Sequence, residues 1–180
     1  MTAVVAAATL ATGATVGSAA AATAHPAATA SVASASDGFE GDPWAHWEKG
    51  SSGEANADGN YNQGTAHTGL NNGWLYAAHG WAAERYGIAI DSWPKSNCRA
   101  SIWAYPVDYD AQVELQIWDP NGWRLVGTTA PYLKKNSWQQ IVTSSINLAG
   151  VNKVYVQAIY GNDTGVGQFV RIDDLAFTCS

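Results

Sequence analysis

Residues 111–118 read Ala-Gln-Val-Glu-Leu-Gln-Ile-Trp, with apolar and polar side chains exchanging places at every step through Ile117. A period of two marks a strand with one face in a core and one in water, the usual condition of an antiparallel sheet. Asp119-Pro120-Asn121-Gly122 follows directly. Pro at the second position with Asn-Gly behind it is turn chemistry, so 123–129 should return as the partner strand of a hairpin. Further strand-like runs cover 73–79, 86–91, 98–105, 138–147, 153–160 and 168–178, separated by clusters of Gly, Asn, Asp and Pro. Helical periodicity is missing, and the best candidate, 81–86, is too short to nucleate a helix. Eight to ten short strands predict an all-β, two-sheet antiparallel sandwich of the jelly-roll type.

The sandwich should begin abruptly. The first 36 residues hold no Asp, Glu, Lys or Arg, whereas 37–180 hold all nine Trp and the whole net charge of −6. Residues 1–24 have the Ala-rich, uncharged character of a signal-peptide apolar region. Ala22-Thr23-Ala24 offers a small-x-small cleavage pattern, and Ala33-Ser34-Ala35 a second. No Lys or Arg precedes Val4, so the true start lies upstream or the signal is weak. Residues 25–36 read as a disordered linker with nothing to bury. A secreted, extracellular and monomeric protein is expected, with one domain over 37–180 that buries roughly 70% of its extended-chain surface. An acidic chain without a basic run is unsuited to nucleic acid. Nothing in 37–180 approaches the ~20 apolar residues of a membrane span.

Cys98 and Cys179 show no metal-knuckle spacing. In an oxidising compartment a bridge between them would contribute roughly 3–4.5 kcal/mol in the chain-entropy model. It would also place the strand near 98–105 against the C-terminal strand. The alternative is two separate buried thiols.

Four elements in order resemble the calcium-containing β-jelly-roll carbohydrate-binding modules of the galactose-binding-like superfamily. Gly38-Phe39-Glu40, with Trp44 close behind, matches their opening; Ala66-His67-Thr68-Gly69 matches the element before the second strand. The Val113–Trp118 strand with its Asp-Pro-Asn-Gly turn matches their central hairpin, and Val170-Arg171-Ile172-Asp173-Asp174-Leu175 their closing strand. The strand Asn97–Trp103 departs from the family pattern, which puts transfer of a particular substrate in doubt. The resemblance implies a structural Ca²⁺ held by Glu40 and Asp173, with Asp42 and Asp174 near. Alternation independently turns one Asp of the 173–174 pair toward an apolar face, where a lone charge costs several kcal/mol. Oxygen ligands suit Ca²⁺; backbone amides or Arg99 are the competing partners.

Nine Trp exceed what a core of this size needs. Trp118 shares the polar side of its strand with Gln112, Glu114 and Gln116, Trp123 lies across the hairpin, Trp103 shares a face with Arg99 and Ser101, and Trp74 pairs with Tyr76. These rings are the expected platform for a polysaccharide or other glycan, each sugar face contributing roughly 1.5–2.5 kcal/mol. Asn71, Asn72, Gln112, Gln116, Glu114 and Arg99 would supply hydrogen bonds to hydroxyls. Trp44, Trp47 and Trp138 read as core or strand-end packing. His46, His67 and His79 have no zinc-site spacing, and His67 should bond to the backbone.

Catalysis finds little footing. Glu114 in Glu-Leu-Gln-Ile-Trp has the look of a glycoside hydrolase nucleophile, but that chemistry needs a second carboxylate ~5–5.5 Å away, and Glu114 is the last Glu of the chain. No Gly-x-Ser-x-Gly elbow is present. The expectation is a non-catalytic glycan-binding protein. A structural or adhesive envelope sandwich is the alternative, with a small hydrolase using Glu114 further behind.

Overall fold

The expected hairpin forms. In the computed structural model, which describes residues 31–180, β5 (Ala111–Asp119) pairs antiparallel with β6 (Arg124–Thr129). Val113, Leu115 and Ile117 point inward and are fully buried. The same alternation builds β4 (Cys98–Pro106), β9 (Lys153–Asn162) and β10 (Gln168–Cys179), whose inner faces carry Ile102, Val156, Ile172 and Phe177. Burying each such side chain contributes roughly 1.5–3 kcal/mol. Short β7 (Tyr132–Leu133) and β8 (Gln139–Val142) complete the C-terminal half, so the 138–147 run yields only four strand residues.

Two long strands depart from expectation. The run 73–79 and most of 86–91 belong to one strand, β3 (Asn71–Ala89), which also takes in 81–86, the segment too short to form a helix. Its partner β2 (Trp47–Tyr61) includes a Gly-Ser-Asn-rich stretch that carries no strand signal. The first half of β3 pairs with β10 and its second half with β9. The β2–β3 ribbon therefore belongs to both layers of the sandwich. One layer runs β2-β3-β10-β4-β8, the other β2-β3-β9-β5-β6. The crossing falls where Gly53 and Gly80 face each other, both at positive φ. A Cβ on Gly80 would run into the Ser52 carbonyl, and one on Gly53 into the His79 carbonyl. Only glycine lets the two backbones pass so closely.

Residues 33–36 are not linker. With Asp37 they form β1 (Ala33–Asp37), which pairs with β10 so that Ala33 faces Cys179 and Asp37 faces Leu175. Ladder hydrogen bonds need no bulky side chain, and small residues serve where a neighbour supplies the edge. The expected signal segment 1–24 and residues 25–30 lie outside the described residues.

Cys98 and Cys179 are directly opposite across β4 and β10 and form a disulfide, with Cα atoms 4.1 Å apart. Buried polar groups are few. One of them, Glu84 on β3, is fully buried, and neither carboxyl oxygen has a hydrogen-bond partner. Burial pushes its carboxyl well above the ordinary range, and the Asp58 charge adds to the effect.

Candidate functional site

Strict alternation sends every second side chain of β3, β5 and β9 outward, and on the β2-β3-β9-β5-β6 layer those side chains surround a trough. At one end Gln112 and Glu114 of β5, Thr128 of β6 and Ile159 of β9 surround a hollow of about 480 Å³, with Trp81 of β3 on its wall. At the other end Trp118, Trp123, Tyr155 and Gln157 line a second hollow beside Arg85. A third, smaller hollow lies between them, sharing Trp81 with the first and Arg85 and Gln157 with the second. From position 112 to 118 the strand rises roughly 20 Å, which sets the scale of the trough.

The rings in it are held by partners. Trp123 sits in the left-handed region (φ 50°) at the hairpin turn, is 53% exposed, and stacks on Tyr155 with centroids 5.5 Å apart and planes 18° apart. The Arg85 guanidinium lies 5.2 Å from both ring centroids. Its Nε and Nη2 donate to Glu48 Oε2 at 2.9 and 2.6 Å, so its charge is matched inside the trough. Trp118 Nε1 donates to Gln116 Oε1 (2.8 Å), and Gln157 Nε2 donates to the same oxygen (3.0 Å). Gln116, expected to meet ligand hydroxyls, is instead nearly buried and fixes the Trp118 indole. Glu114 Oε1 accepts from the Thr128 hydroxyl at 2.7 Å.

The candidate residues do not all converge here. Glu114, Gln116, Trp118 and Trp123 belong to the trough. Trp74, Tyr76 and Trp103 lie on the outer face of the opposite layer, on β3 and β4 beside β10. There Phe169 meets Trp74 edge-on (5.4 Å) and tilts against Tyr76 (4.8 Å). His67 stacks on Trp103 at 4.1 Å, and Trp138 closes on His67 from the side at 5.3 Å. Trp103 is thus covered by a side chain of its own protein, and Trp138 belongs to this surface cluster. Trp47 is buried in the core, while Trp44 is half-buried and packs against it. None of Trp74, Trp103, Trp118 and Trp123 is a core residue. Asn71 serves the strand ends described next, and Asn72 is buried, accepting from the Thr65 hydroxyl at 2.7 Å. The sequence reading passed over Trp81, Arg85, Tyr155 and Gln157, which line the trough. Their signal was the alternation of β9 and of the second half of β3.

The carboxylates expected at a metal form a knot between the ends of the domain. A bulge in β10 holds Asp174 at φ 46° and lets both Ile172 and Leu175 face inward, which strict alternation forbids. Asp173 is fully buried at that bulge. Its Oδ2 accepts the His67 and Thr68 amides (2.8 and 3.2 Å), and its Oδ1 the Asp174 amide (2.8 Å). Burial, reinforced by the Asp174 charge and opposed by these amides, pushes the Asp173 carboxyl up to about 6. His67 shares a 2.6 Å hydrogen bond with Asp174 Oδ2, where a backbone bond was expected, and Thr68 donates to Asp174 Oδ1 at 2.7 Å. Glu40 Oε1 accepts the Leu70 and Asn71 amides. Asp42 stands apart, capping the 3₁₀ turn Pro43–Ala45 through the Trp44 amide. Arg99 is in no salt bridge among the described residues. All four carboxylates expected at the ion accept hydrogen bonds from the protein itself. Among the described residues no three His, Cys, Asp or Glu side chains converge closely enough to hold one. Asp173, with its buried charge, and Glu40, whose second oxygen is unbonded, keep the chemistry that a carbonyl-assisted Ca²⁺ site requires.

This architecture is that of the β-jelly-roll carbohydrate-binding modules. A family 61 carbohydrate-binding module solved in complex with β-1,4-galactotriose is similar with a TM-score of 0.61 at 13% identity, covering 78% of this chain and 92% of that one. A family 22 xylan-binding domain from Paenibacillus barcinonensis gives 0.58 at 14% identity, with 83% and 96% covered. A family 11 module from Clostridium thermocellum, in complex with a β-1,3-1,4-mixed-linked tetrasaccharide, gives 0.54 at 15% identity, again with 83% and 96% covered. No protein-family model matches the sequence, and no curated protein is similar to it. At these identities the likeness is one of fold. No helix among the described residues is long and apolar enough to cross a membrane.

Proposed function

We propose that the chain is a secreted, non-catalytic module that binds a neutral polysaccharide along the β2-β3-β9-β5-β6 trough, acting as a monomer. The observation that supports it best is the row of adjoining hollows bordered by Trp123, Tyr155, Trp118 and Trp81, with amide and hydroxyl groups between the rings. A pyranose has an apolar face and an equatorial fringe of hydroxyls, and this lining offers the complement of both. Arg85 is ion-paired with Glu48 within the site, so its guanidinium is not free to hold an anionic chain. Three of the structural neighbours are carbohydrate-binding modules whose names give β-1,4-galactotriose, xylan and a β-1,3-1,4-mixed-linked tetrasaccharide as ligands, and the disulfide suits an oxidising compartment.

Affinity electrophoresis in gels cast with β-1,4-galactan, xylan or mixed-linkage β-glucan tests the reading. At least one polymer should retard the protein, and Trp123→Ala should weaken retardation about tenfold, the worth of one ring face. Equal mobility in all three gels, or an unaltered Trp123→Ala, refutes it.

A structural Ca²⁺ is part of the same proposal, with Glu40 and Asp173 as its carboxylate ligands. When bound, the ion would neutralise the buried Asp173 and tie the start of the domain to β10. Removal of calcium with EDTA should then lower the thermal midpoint by several degrees, since about 1 kcal/mol moves a domain of this size by roughly 2–4 °C. An unchanged midpoint removes the ion from the description.

A further inference from the structure

The layer opposite the trough has a hollow of its own. It measures about 310 Å³ and is lined by Asn60, Gln63, Thr65, Trp74, Phe169 and Arg171. The strand register places Trp74, Arg171 and Tyr105 side by side on β3, β10 and β4. The Arg171 guanidinium lies 5.2 Å from the centroid of the Tyr105 ring, an arrangement that leaves its N–H fork available. Phe169 is 42% exposed and meets Trp74 edge-on, so the floor of the hollow is aromatic.

The charge of this hollow is uncompensated. Arg85 in the trough is held by Glu48, and Arg124 is paired with Asp119 at 3.2 Å. Arg171 is in no salt bridge among the described residues. The acids nearest in register are already engaged. Asp58, opposite Trp74 on β2, is bonded to Lys49 at 3.0 Å, and Asp173 and Asp174 are bound to the 67–68 backbone and side chains. Arg99 is likewise unpaired among the described residues, but only Arg171 lines a hollow beside rings and amides, which presents a site for a carboxylate on a hydroxyl-rich ligand.

We propose that this hollow is a second saccharide site, selective for sugars that bear a carboxylate, in which Arg171 takes the carboxylate and the Trp74–Phe169 pair takes the ring. Asn60, Gln63 and Thr65 provide polar groups for the hydroxyls. An acidic peptide is the poorer occupant. Extended peptides dock by adding a strand to a free sheet edge, and β3 and β10 are paired on both sides here. The site does not depend on the trough: the two lie on opposite layers and call for ligands of different charge. Together they would let one domain bridge a neutral and an acidic polysaccharide.

Calorimetry with α-1,4-trigalacturonate, its methyl ester and a triglutamate peptide is the test. Trigalacturonate should bind, weaken with added salt, and lose about tenfold on esterification or in Arg171→Gln, the share of a charge-assisted bidentate contact. Arg171→Lys, which keeps the charge but not the planar fork, should recover part of the loss, and Trp123→Ala should leave trigalacturonate binding unchanged. Equal affinity for acid and ester, an Arg171→Gln that binds like the parent, or triglutamate binding as tightly as trigalacturonate would each overturn the proposal. The melting temperature of Arg171→Gln serves as the check on folding. Failure of the trough reading would appear separately, as loss of neutral-polymer retardation with trigalacturonate binding intact.

Discussion

The two outer faces of this sandwich are written in the same pattern, aromatic and polar side chains at every second position, yet they differ as surfaces. On the β5–β9 face Trp123, which comes from a turn at the end of the trough, stacks on Tyr155, while Trp81 and Trp118 stack on no other ring among the described residues. On the β4–β10 face the rings lean on one another: Trp74 on Phe169, Phe169 on Tyr76, and His67 over Trp103. Ring–ring contact is worth about 0.5–1.5 kcal/mol per pair beyond area burial. A ring covered face to face and enclosed from the side, as Trp103 is by His67 and Trp138, therefore has less to gain from a ligand than one met only at its edge or exposed on its second face. Outward-facing aromatics are thus necessary for a stacking platform but not sufficient; what decides is whether the protein has already covered them.

The disulfide breaks this comparison most forcefully, because it joins the two central strands of one face only. Cys98→Ala with Cys179→Ala should cost about 4 kcal/mol by the loop-entropy argument. Amide exchange should then rise in β4 and β10 ahead of β5 and β9. Simultaneous loss of protection in all four strands would show that the faces are one cooperative unit. A smaller effect separates the platforms themselves. Trp118→Ala should weaken polysaccharide retardation about tenfold, while Trp103→Ala should leave it unchanged and lower stability instead. Equal effects on binding would mean that the His67 cover opens for ligand.

The smallest effect lies in β3, the strand both faces share. Glu84 is buried without partners, and its carboxyl is held well above the ordinary Glu value. The folded state therefore keeps a proton that the unfolded chain has already released. Stability should fall as pH rises from the unfolded Glu value toward the raised one, and level off beyond it. Glu84→Gln should abolish that slope and add about 1 kcal/mol at alkaline pH. Urea midpoints at pH 5 and pH 9 measure it; a slope that survives the substitution assigns the titration elsewhere, Asp173 being the other raised carboxyl.

Much of the fold was legible because the β4, β5, β9 and β10 segments carry their own burial pattern. Alternation located them, Asp-Pro-Asn-Gly marked the hairpin, and the cysteine pair matched the β4–β10 register. The β1 and β2 strands were not legible. Glycine, serine, alanine and asparagine have no apolar surface that demands a partner, so Ala33–Asp37 and most of Trp47–Tyr61 become strands only because β10 and β3 present edges to them. The candidate site divided in the same way. Sequence could say that Trp74, Trp103, Trp118 and Trp123 face outward, since facing is a matter of parity within one strand.

Which layer each ring belongs to was decided elsewhere. It depends on where β3 passes from β10 to β9, a crossing made possible by the close approach of Gly53 and Gly80. The amino-acid sequence by itself determined the inward and outward faces of the strands, because parity is a local property of spacing and chemistry. Only the tertiary structure decided which outward residues share a surface, which rings are left uncovered and which unmatched guanidinium lines a hollow. Those outcomes depend on neighbours distant in the chain, and no window of sequence contains them.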